Sequence, residues 1–353
     1  MSQRVGIVLF NLGGPDTLDA VKPFLRNLFS DKAIIRAPSF VRWPLARLIS
    51  SRRAPYAQNI YRSIGGGSPI VPETERQARA LEAALAAEGV TAKVVIAMRY
   101  WHPFAAEAAA ELKSWGPDRI VLLPLYPQFS TTTTQSSLDD WERSAAKAGL
   151  TAPATALCCY PTHPGFIAAY GDLVRQALAD LPAGATPRLL FSAHGLPERI
   201  VTAGDPYPRQ VEATAREIAV AAGADGLDWR VTYQSRVGPL KWIGPDTDKE
   251  IEASATAKLV PVVVPLSFVS EHSETLYELD QIYRDAALAA GAPAYIRVPA
   301  VGTHPKFIAA LADLVRQSPA RGRLAPDSSW TGCGGAAGCP CVKAAAKLDT
   351  SSL

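Results

Sequence analysis

Short apolar runs alternate along this chain with longer, alanine-rich stretches, and that alternation limits the fold more than any other feature. Val5–Leu12, Ala92–Arg99, Arg119–Tyr126 and Ala154–Tyr160 read as buried parallel strands, with Glu73–Glu88 and Pro103–Trp115 as helices between them. A second set follows. Arg188–Ala193, Trp229–Gln234, Lys258–Ser267 and Ala294–Val298 read as strands; Pro206–Ala222, Thr247–Ser254, Ser270–Leu288 and His304–Arg316 read as helices. This order predicts an α/β protein with parallel sheets. Two sets of four strands predict two similar domains with a cleft between them. An internal repeat agrees: Thr162-His-Pro-Gly-Phe-Ile-Ala-Ala-Tyr-Gly-Asp-Leu-Val-Arg-Gln176 matches Thr303-His-Pro-Lys-Phe-Ile-Ala-Ala-Leu-Ala-Asp-Leu-Val-Arg-Gln317 at 12 of 15 positions. Each copy follows the last strand of its half, so duplication with one helix closing each half is the simple reading. The expected domains are 1–160, 161–317 and a C-terminal extension, 318–353.

The chain is long enough to bury an ample core, and its net charge of +3 does not suggest nucleic-acid binding. The placement of charge says more. From Lys32 to Pro72 there is no acidic residue, yet Lys32, Arg36, Arg42, Arg47, Arg52, Arg53 and Arg62 all lie there. That points to an anionic ligand or surface. Within it, Ile34–Ile49 mixes large apolar residues with arginines, which suits a membrane-touching segment and equally an amphipathic helix packed on the body. The N-terminal apolar run is too short for a signal peptide, and no apolar stretch is long enough to span a bilayer. The five cysteines do not resemble a secreted disulfide framework. A cytoplasmic location is expected, with peripheral contact at the inner membrane through residues 34–49.

Three phrases carry the chemistry. Phe191-Ser-Ala-His-Gly-Leu-Pro197 puts His194 at a strand end, where open α/β sheets place their sites. A histidine there can bind a metal or take a proton near neutral pH, or it can be merely structural. Ser270-Glu-His-Ser-Glu-Thr-Leu-Tyr-Glu-Leu-Asp280 gathers carboxylates around His272. On a helix Glu271, Glu274 and Glu278 would share one stripe, where mutual repulsion raises proton affinity. The bland alternative is a solvated acidic helix start. The third phrase is Tyr233-Gln-Ser-Arg-Val-Gly-Pro239. Neither Asn11-Leu-Gly-Gly-Pro15 nor Tyr61–Ile70 has the spacing of a nucleotide-binding loop, so no nucleotide is expected. Cys333, Cys339 and Cys341 are three potential thiolate ligands. With one more they could hold a [2Fe–2S] cluster, zinc being the competing ion. Cys158 and Cys159 both end a strand and present opposite faces, so either could be the fourth.

Together these phrases resemble the ferrochelatase family, over about Val5 to Gln317. The resemblance also runs through Asn11-Leu-Gly-Gly-Pro, Arg52-Arg-x-Pro, Tyr61–Ile70, Arg99-Tyr-x-His-Pro and Leu125-Tyr-Pro-Gln-Phe-Ser130. It implies two Rossmann-like domains, each a four-stranded parallel sheet flanked by helices (the class II chelatase fold), and an enzyme that inserts Fe2+ into protoporphyrin IX. It also implies that His194 and Glu274 meet the metal and the pyrrole protons, and that Glu274, with His272 and Glu278, relays protons outward. Leu12, Arg99, Tyr100, Tyr126 and Tyr160 should line the macrocycle, and Arg53 and Ser68 should hold propionates with Tyr61 nearby. In animal members one cluster cysteine lies where Thr131 stands here. The resemblance to bacterial cluster-bearing members favours Cys158 as fourth ligand, with Cys159 in reserve. Relatives that use coproporphyrin III carry Tyr where Leu12 stands, which favours protoporphyrin IX.

Two other readings compete. A chelatase for sirohydrochlorin would want paired histidines for a carboxylate-rich ring, against which stand the single His194 and the Leu12 turn. An iron-sulfur sensor or tetrapyrrole-binding protein would explain the cysteine tail but not the acidic helix. Whether the chain is a monomer or a homodimer is left open by the sequence.

Overall fold

The structure, a computed structural model, describes residues 3–236, 240–318 and 322–324. In chain order its elements are β1 (Arg4–Asn11), α1 (Val21–Ser30), α2 (Ser39–Ser63), α3 (Ile70–Ala87), β2 (Thr91–Met98), α4 (Ala105–Trp115), β3 (Arg119–Pro124), α5 (Thr134–Ala148) and β4 (Ala154–Leu157). Then come α6 (Pro164–Ala179), β5 (Pro187–His194), α7 (Glu198–Thr202), α8 (Tyr207–Ala222), β6 (Trp229–Gln234), α9 (Thr247–Thr256), β7 (Val260–Val264), a π-helix (Glu274–Tyr283), α10 (Arg284–Ala289), β8 (Ile296–Arg297), α11 (Pro305–Gln317) and β9 (Gly322–Leu324). They form two compact units, one of Met1–Tyr126, Ser130–Cys158 and Ala312–Leu324, the other of Pro127–Phe129 and Cys159–Leu311.

The first unit is built on an all-parallel sheet in the order β2-β1-β3-β4-β9. β1 is an inner strand between β2 and β3, and Val5 through Asn11 are all buried because both faces of the strand are covered. Phe10, Val95, Leu112, Leu122 and Trp141 sit in the core that α4 and α5 seal on one face. The fifth strand goes beyond the four expected. Gly322-Arg-Leu324 pairs with Thr155–Leu157, and three residues are too few to show any periodicity in sequence. α1 and α2 pack together over Phe24, Leu25, Ala54 and Tyr61. α2 runs for 25 residues through Pro44 and Pro55, where proline would ordinarily break a helix. Its outer face leaves Phe40, Val41, Trp43, Leu45 and Leu48 exposed. Among the described residues no helix is long and apolar enough to cross a membrane.

The second unit holds the parallel sheet β6-β5-β7-β8. Leu190, Val263, Ile251, Leu279 and Ala287 form its core on the side of α9 and the π-helix. The repeated Thr-His-Pro starts are helix caps: the Nδ1 atoms of His163 and His304 accept from the Gly165 and Lys306 N–H groups at 3.2 and 3.3 Å. A Cβ at Gly165 would lie 2.9 Å from the Ala310 Cβ and the Lys306 carbonyl, and one at Gly171 would lie 3.0 Å from the Ala221 Cβ. The Tyr170 hydroxyl, 2.8 Å from both the Pro265 and Phe268 carbonyl oxygens, braces the loop after β7.

The structure alters one expectation here. The helix expected over Ser270–Leu288 starts only at Glu274, and it starts as a π-helix. π-helical turns are rare and frequently found at functional sites.

Candidate functional site

β5 ends at His194 and turns at once through Gly195. That glycine is needed because its N–H donates to the Gln234 carbonyl at 2.9 Å, and a Cβ there would stand 3.0 Å from the same oxygen. The His194 Nδ1 lies 2.7 Å from the Gly195 carbonyl oxygen. A carbonyl can only accept, so Nδ1 carries the hydrogen and the neutral ring keeps its lone pair on Nε2. That Nε2 faces Glu274 Oε1 at 3.7 Å.

His272 approaches the same carboxylate from the other side. Its Nδ1 is 3.1 Å from the Ser270 carbonyl, its Nε2 is 3.5 Å from Glu274 Oε2, and its ring packs on Phe268. Burial works against charge on this ring, but Glu274 beside it outweighs burial and raises its proton affinity. Glu274 therefore stands between two imidazoles, each too far for a hydrogen bond. Its buried Oε2 has no hydrogen-bond partner in the structure. Such an oxygen is costly to leave bare.

Glu278 follows one turn later. Ser235 Oγ donates to its Oε2 at 2.6 Å and Gln234 Nε2 at 3.2 Å; Gln234 also donates to the Glu274 carbonyl and accepts from Ser192 Oγ. Ser235 holds a left-handed backbone, φ 64°, that non-glycine residues rarely adopt. Burial opposes ionisation of Glu274, but His194 and His272 hold its carboxyl down to about 2. Burial and the Glu274 charge push Glu278 up to about 7. Two neighbouring carboxyls with proton affinities driven apart are suited to passing a proton from one to the other near neutral pH. Gln234 and Ser235 were legible only as part of a phrase, with no role to assign from sequence.

Glu271 does not join this group. The stripe expected for Glu271, Glu274 and Glu278 fails because Glu271 precedes the helix, where it accepts from Arg297 Nη1 at 2.6 Å and from the Ala300 N–H at 2.9 Å. Burial would neutralise it, but Arg297 holds its carboxyl below the usual range.

The residues expected to line a macrocycle lie mostly in the first unit. Leu12, Tyr61 and Tyr100 share one cluster, with Phe29 at its margin and the Arg53 guanidinium 5.9 Å above the Phe29 ring. Ser68 is buried, its Oγ 3.4 Å from the Ile70 N–H. Arg99 and Tyr100 are already engaged by protein. Arg99 pairs with Asp31 at 2.8 Å and donates to Ser136, while the Tyr100 hydroxyl donates to Asp31 at 2.8 Å. Burial opposes the Asp31 charge, but Arg99, Ser136 and Tyr100 hold its carboxyl below the ordinary value. Tyr126 is half-buried, its hydroxyl 3.4 Å from Ser137 Oγ. Tyr160, in the second unit, is buried edge-on to Phe166, and its hydroxyl has no partner in the structure.

Cys158 and Cys159 are buried just past β4, and Gln210 Nε2 donates to Cys159 Sγ at 3.4 Å. Cys333, Cys339 and Cys341 lie outside the described residues.

The ferrochelatase family model matches residues 4–319. The ferrochelatase of Caulobacter vibrioides is 51% identical over 352 residues, covering 98% of this chain and 99% of its own. The chain belongs to the ferrochelatase family. The ferrochelatase of Phenylobacterium zucineum is 50% identical over 329 residues, covering 93% of this chain and 95% of its own. As a ferrochelatase the protein is an enzyme, a lyase. Among solved structures, the sirohydrochlorin chelatase SirB from Bacillus subtilis subspecies spizizenii in complex with cobalt aligns with a TM-score of 0.51 at 11% identity. That alignment covers 90% of this chain and 95% of the other, and at that identity it speaks for the fold alone.

Proposed function

We propose that this enzyme inserts ferrous iron into protoporphyrin IX, releasing two protons to give protohaem at the last step of haem synthesis; insertion of iron into a porphyrin follows from family membership. The observation that carries the mechanism is the Glu274 carboxylate, set between two imidazole Nε2 atoms with a bare buried oxygen, while Gln234 ties the Glu274 backbone carbonyl to the Glu278 carboxylate. Metal insertion must remove two pyrrole protons. The His194 Nε2 lone pair accepts them in turn; each crosses the 3.7 Å gap to Glu274 and is passed outward by Glu278, titrating near neutrality, before the next is taken. His272, whose proton affinity Glu274 raises, steadies the negative charge from behind. The same pair suits the arriving ion. Two donors about 2.1 Å from one metal stand 3.7 Å apart when they open at about 120°.

The porphyrin choice rests on Leu12. Coproporphyrin III carries four propionates and protoporphyrin IX two, with vinyl groups in the other places. Leu12 lies in an apolar cluster and offers no donor to an extra carboxylate, while Arg53 and Ser68 remain for two. The test is anaerobic incubation with ferrous iron and either porphyrin, followed by loss of porphyrin fluorescence. Protoporphyrin IX should be metallated faster, and His194→Ala should slow that rate by about a hundredfold or more. Equal or faster use of coproporphyrin III would overturn the substrate; no metallation of either would overturn the whole reading.

A [2Fe–2S] cluster on Cys158, Cys333, Cys339 and Cys341 is the cofactor reading. Its support is the register of β4 with β9: Leu324 lies opposite Leu157, one residue before Cys158, and the segment with the three cysteines continues from that strand. When bound, such a cluster supplies a four-thiolate crosslink that can also hold an electron.

Peripheral membrane contact is the partner reading for residues 34–49. Exposed Phe40, Val41, Trp43, Leu45 and Leu48 share α2 with exposed Arg47 and Arg52, and no acidic residue interrupts them. Beside them Lys22, Arg26, Asn27, Ser30 and Trp43 line a cavity of about 570 Å3 with the charge to take a lipid phosphate. A cytoplasmic enzyme touching the inner membrane fits both features.

A further inference from the structure

The acidic phrase contains two carboxylates, Glu271 and Asp280, that the proton route does not use. They lie on either side of the working pair: Glu271 three residues before Glu274, Asp280 two residues after Glu278. Both end on one guanidinium. Arg297 on β8 gives Nη1 to Glu271 Oε1 at 2.6 Å, and Nε and Nη2 to the two oxygens of Asp280 at 2.7 and 2.6 Å. The Arg297 side chain is only 13% exposed. Two positions earlier, the Tyr295 hydroxyl donates to the Leu279 carbonyl at 2.8 Å. A short stretch at β8 thus grips the π-helix at consecutive residues, 279 and 280, and also grips the segment that leads into it.

That grip matters because of the kind of helix it holds. π-turns are seldom kept for more than a single turn, and this one runs for ten residues. Rewinding it as an α-helix would rotate Glu274 and Glu278 relative to each other and to the two imidazoles. A planar fork bound to two carboxylates fixes both angle and distance, which an ammonium cannot do. We infer that Arg297, assisted by Tyr295, is a positioning residue that fixes the turn carrying Glu274 and Glu278, and that Glu271 and Asp280 are its anchors rather than proton carriers. This rests on the metallation reading above.

The experiment is single-turnover metallation of protein preloaded with protoporphyrin IX, mixed anaerobically with ferrous iron. Only folded, loaded enzyme contributes to the signal. A merely destabilising change lowers the amplitude and leaves the rate constant alone; a displaced Glu274–Glu278 pair lowers the rate constant. Arg297→Lys and Asp280→Asn should each slow the rate constant tenfold or more, with porphyrin affinity within about threefold of wild type. Their double variant should be no slower than the worse single, because both break one link. Tyr295→Phe should slow the step less. If Arg297→Lys does not fold, Asp280→Asn and Tyr295→Phe carry the test, and unchanged rate constants in both overturn the inference. A slow Asp280→Asn beside a wild-type Arg297→Lys also overturns it, since Asp280 would then carry protons itself. Absence of metallation by the wild type would overturn the proposed function instead.

Discussion

Replacing Glu278 by glutamine tests the electrostatics of the site without relying on turnover. In the folded protein the Glu278 carboxyl titrates at about 7 instead of its ordinary 4.5, first because it is buried and then because Glu274 is charged beside it. A raised carboxyl favours its protonated form. Its contribution to stability is therefore complete below about 4.5 and is lost as pH climbs through about 7. Holding it ionised at pH 8 costs about 3 kcal/mol, of which less than about 1 kcal/mol is already present at pH 5. The Glu278→Gln side chain keeps an oxygen to accept from Ser235 and never ionises. Whatever packing difference the amide introduces is the same at every pH, so the change in variant-minus-wild-type stability with pH isolates the ionisation. Urea unfolding at pH 5 and pH 8 should show the variant gaining about 2–3 kcal/mol on the wild type between the two. Parallel stability curves would refute the assignment of the titrating proton to Glu278. Turnover at pH 7 should fall at least tenfold in the same variant, because the outward step is gone.

Other expectations can be checked separately. Ser235→Ala removes a hydrogen bond that lowers Glu278, so the limb of the pH–rate profile set by that group should move to higher pH. Asp31→Asn should cost roughly 3 kcal/mol in urea unfolding by leaving Arg99 buried beside a neutral amide, and it should raise the porphyrin KM more than it lowers kcat. Cys158→Ser should abolish bound iron and acid-labile sulfide in purified protein, whereas Cys159→Ser should retain both. The Phe40→Glu/Trp43→Glu double variant should lose sedimentation with anionic lipid vesicles by tenfold or more, yet metallate detergent-dispersed porphyrin at the wild-type rate.

Much of the scaffold could be read in advance because parallel strands buried on both faces are plain apolar runs. Trp229–Gln234 was predicted to the residue, and most other predicted strands overlap the observed ones with ends that differ by one to three residues. Val260–Val264 is shorter than its apolar run, because Pro265 ends the ladder where the Tyr170-braced loop begins. α2 was harder: only Ile34–Ile49 was singled out, as a membrane-touching segment or a packed amphipathic helix, whereas the helix runs Ser39–Ser63 through two prolines. The site was legible as a set of residues but not as a division of labour. His194, His272, Glu274 and Glu278 could be singled out from their phrases. That Glu271 leaves the group could not, because its partner Arg297 lies 26 residues away on another strand. The π-helix was equally hidden. Helical spacing in sequence does not distinguish an i+4 from an i+5 bond pattern, and the long-range grip on residues 271, 279 and 280 has no local signature.

The two copies of the repeated helix are put to unequal use. The two copies differ at Gly165, Tyr170 and Gly171, which face Lys306, Leu311 and Ala312 in the other copy. At all three, the first copy makes a contact of its own. Gly165 admits the Lys306 carbonyl and Ala310, Gly171 admits Ala221, and Tyr170 braces the loop that runs on to His272. The three positions at which the copies differ are thus the ones that let one helix seat closely against its neighbours and brace the loop leading to His272. Two nearly identical helices serve unequal ends, and three side chains make the difference.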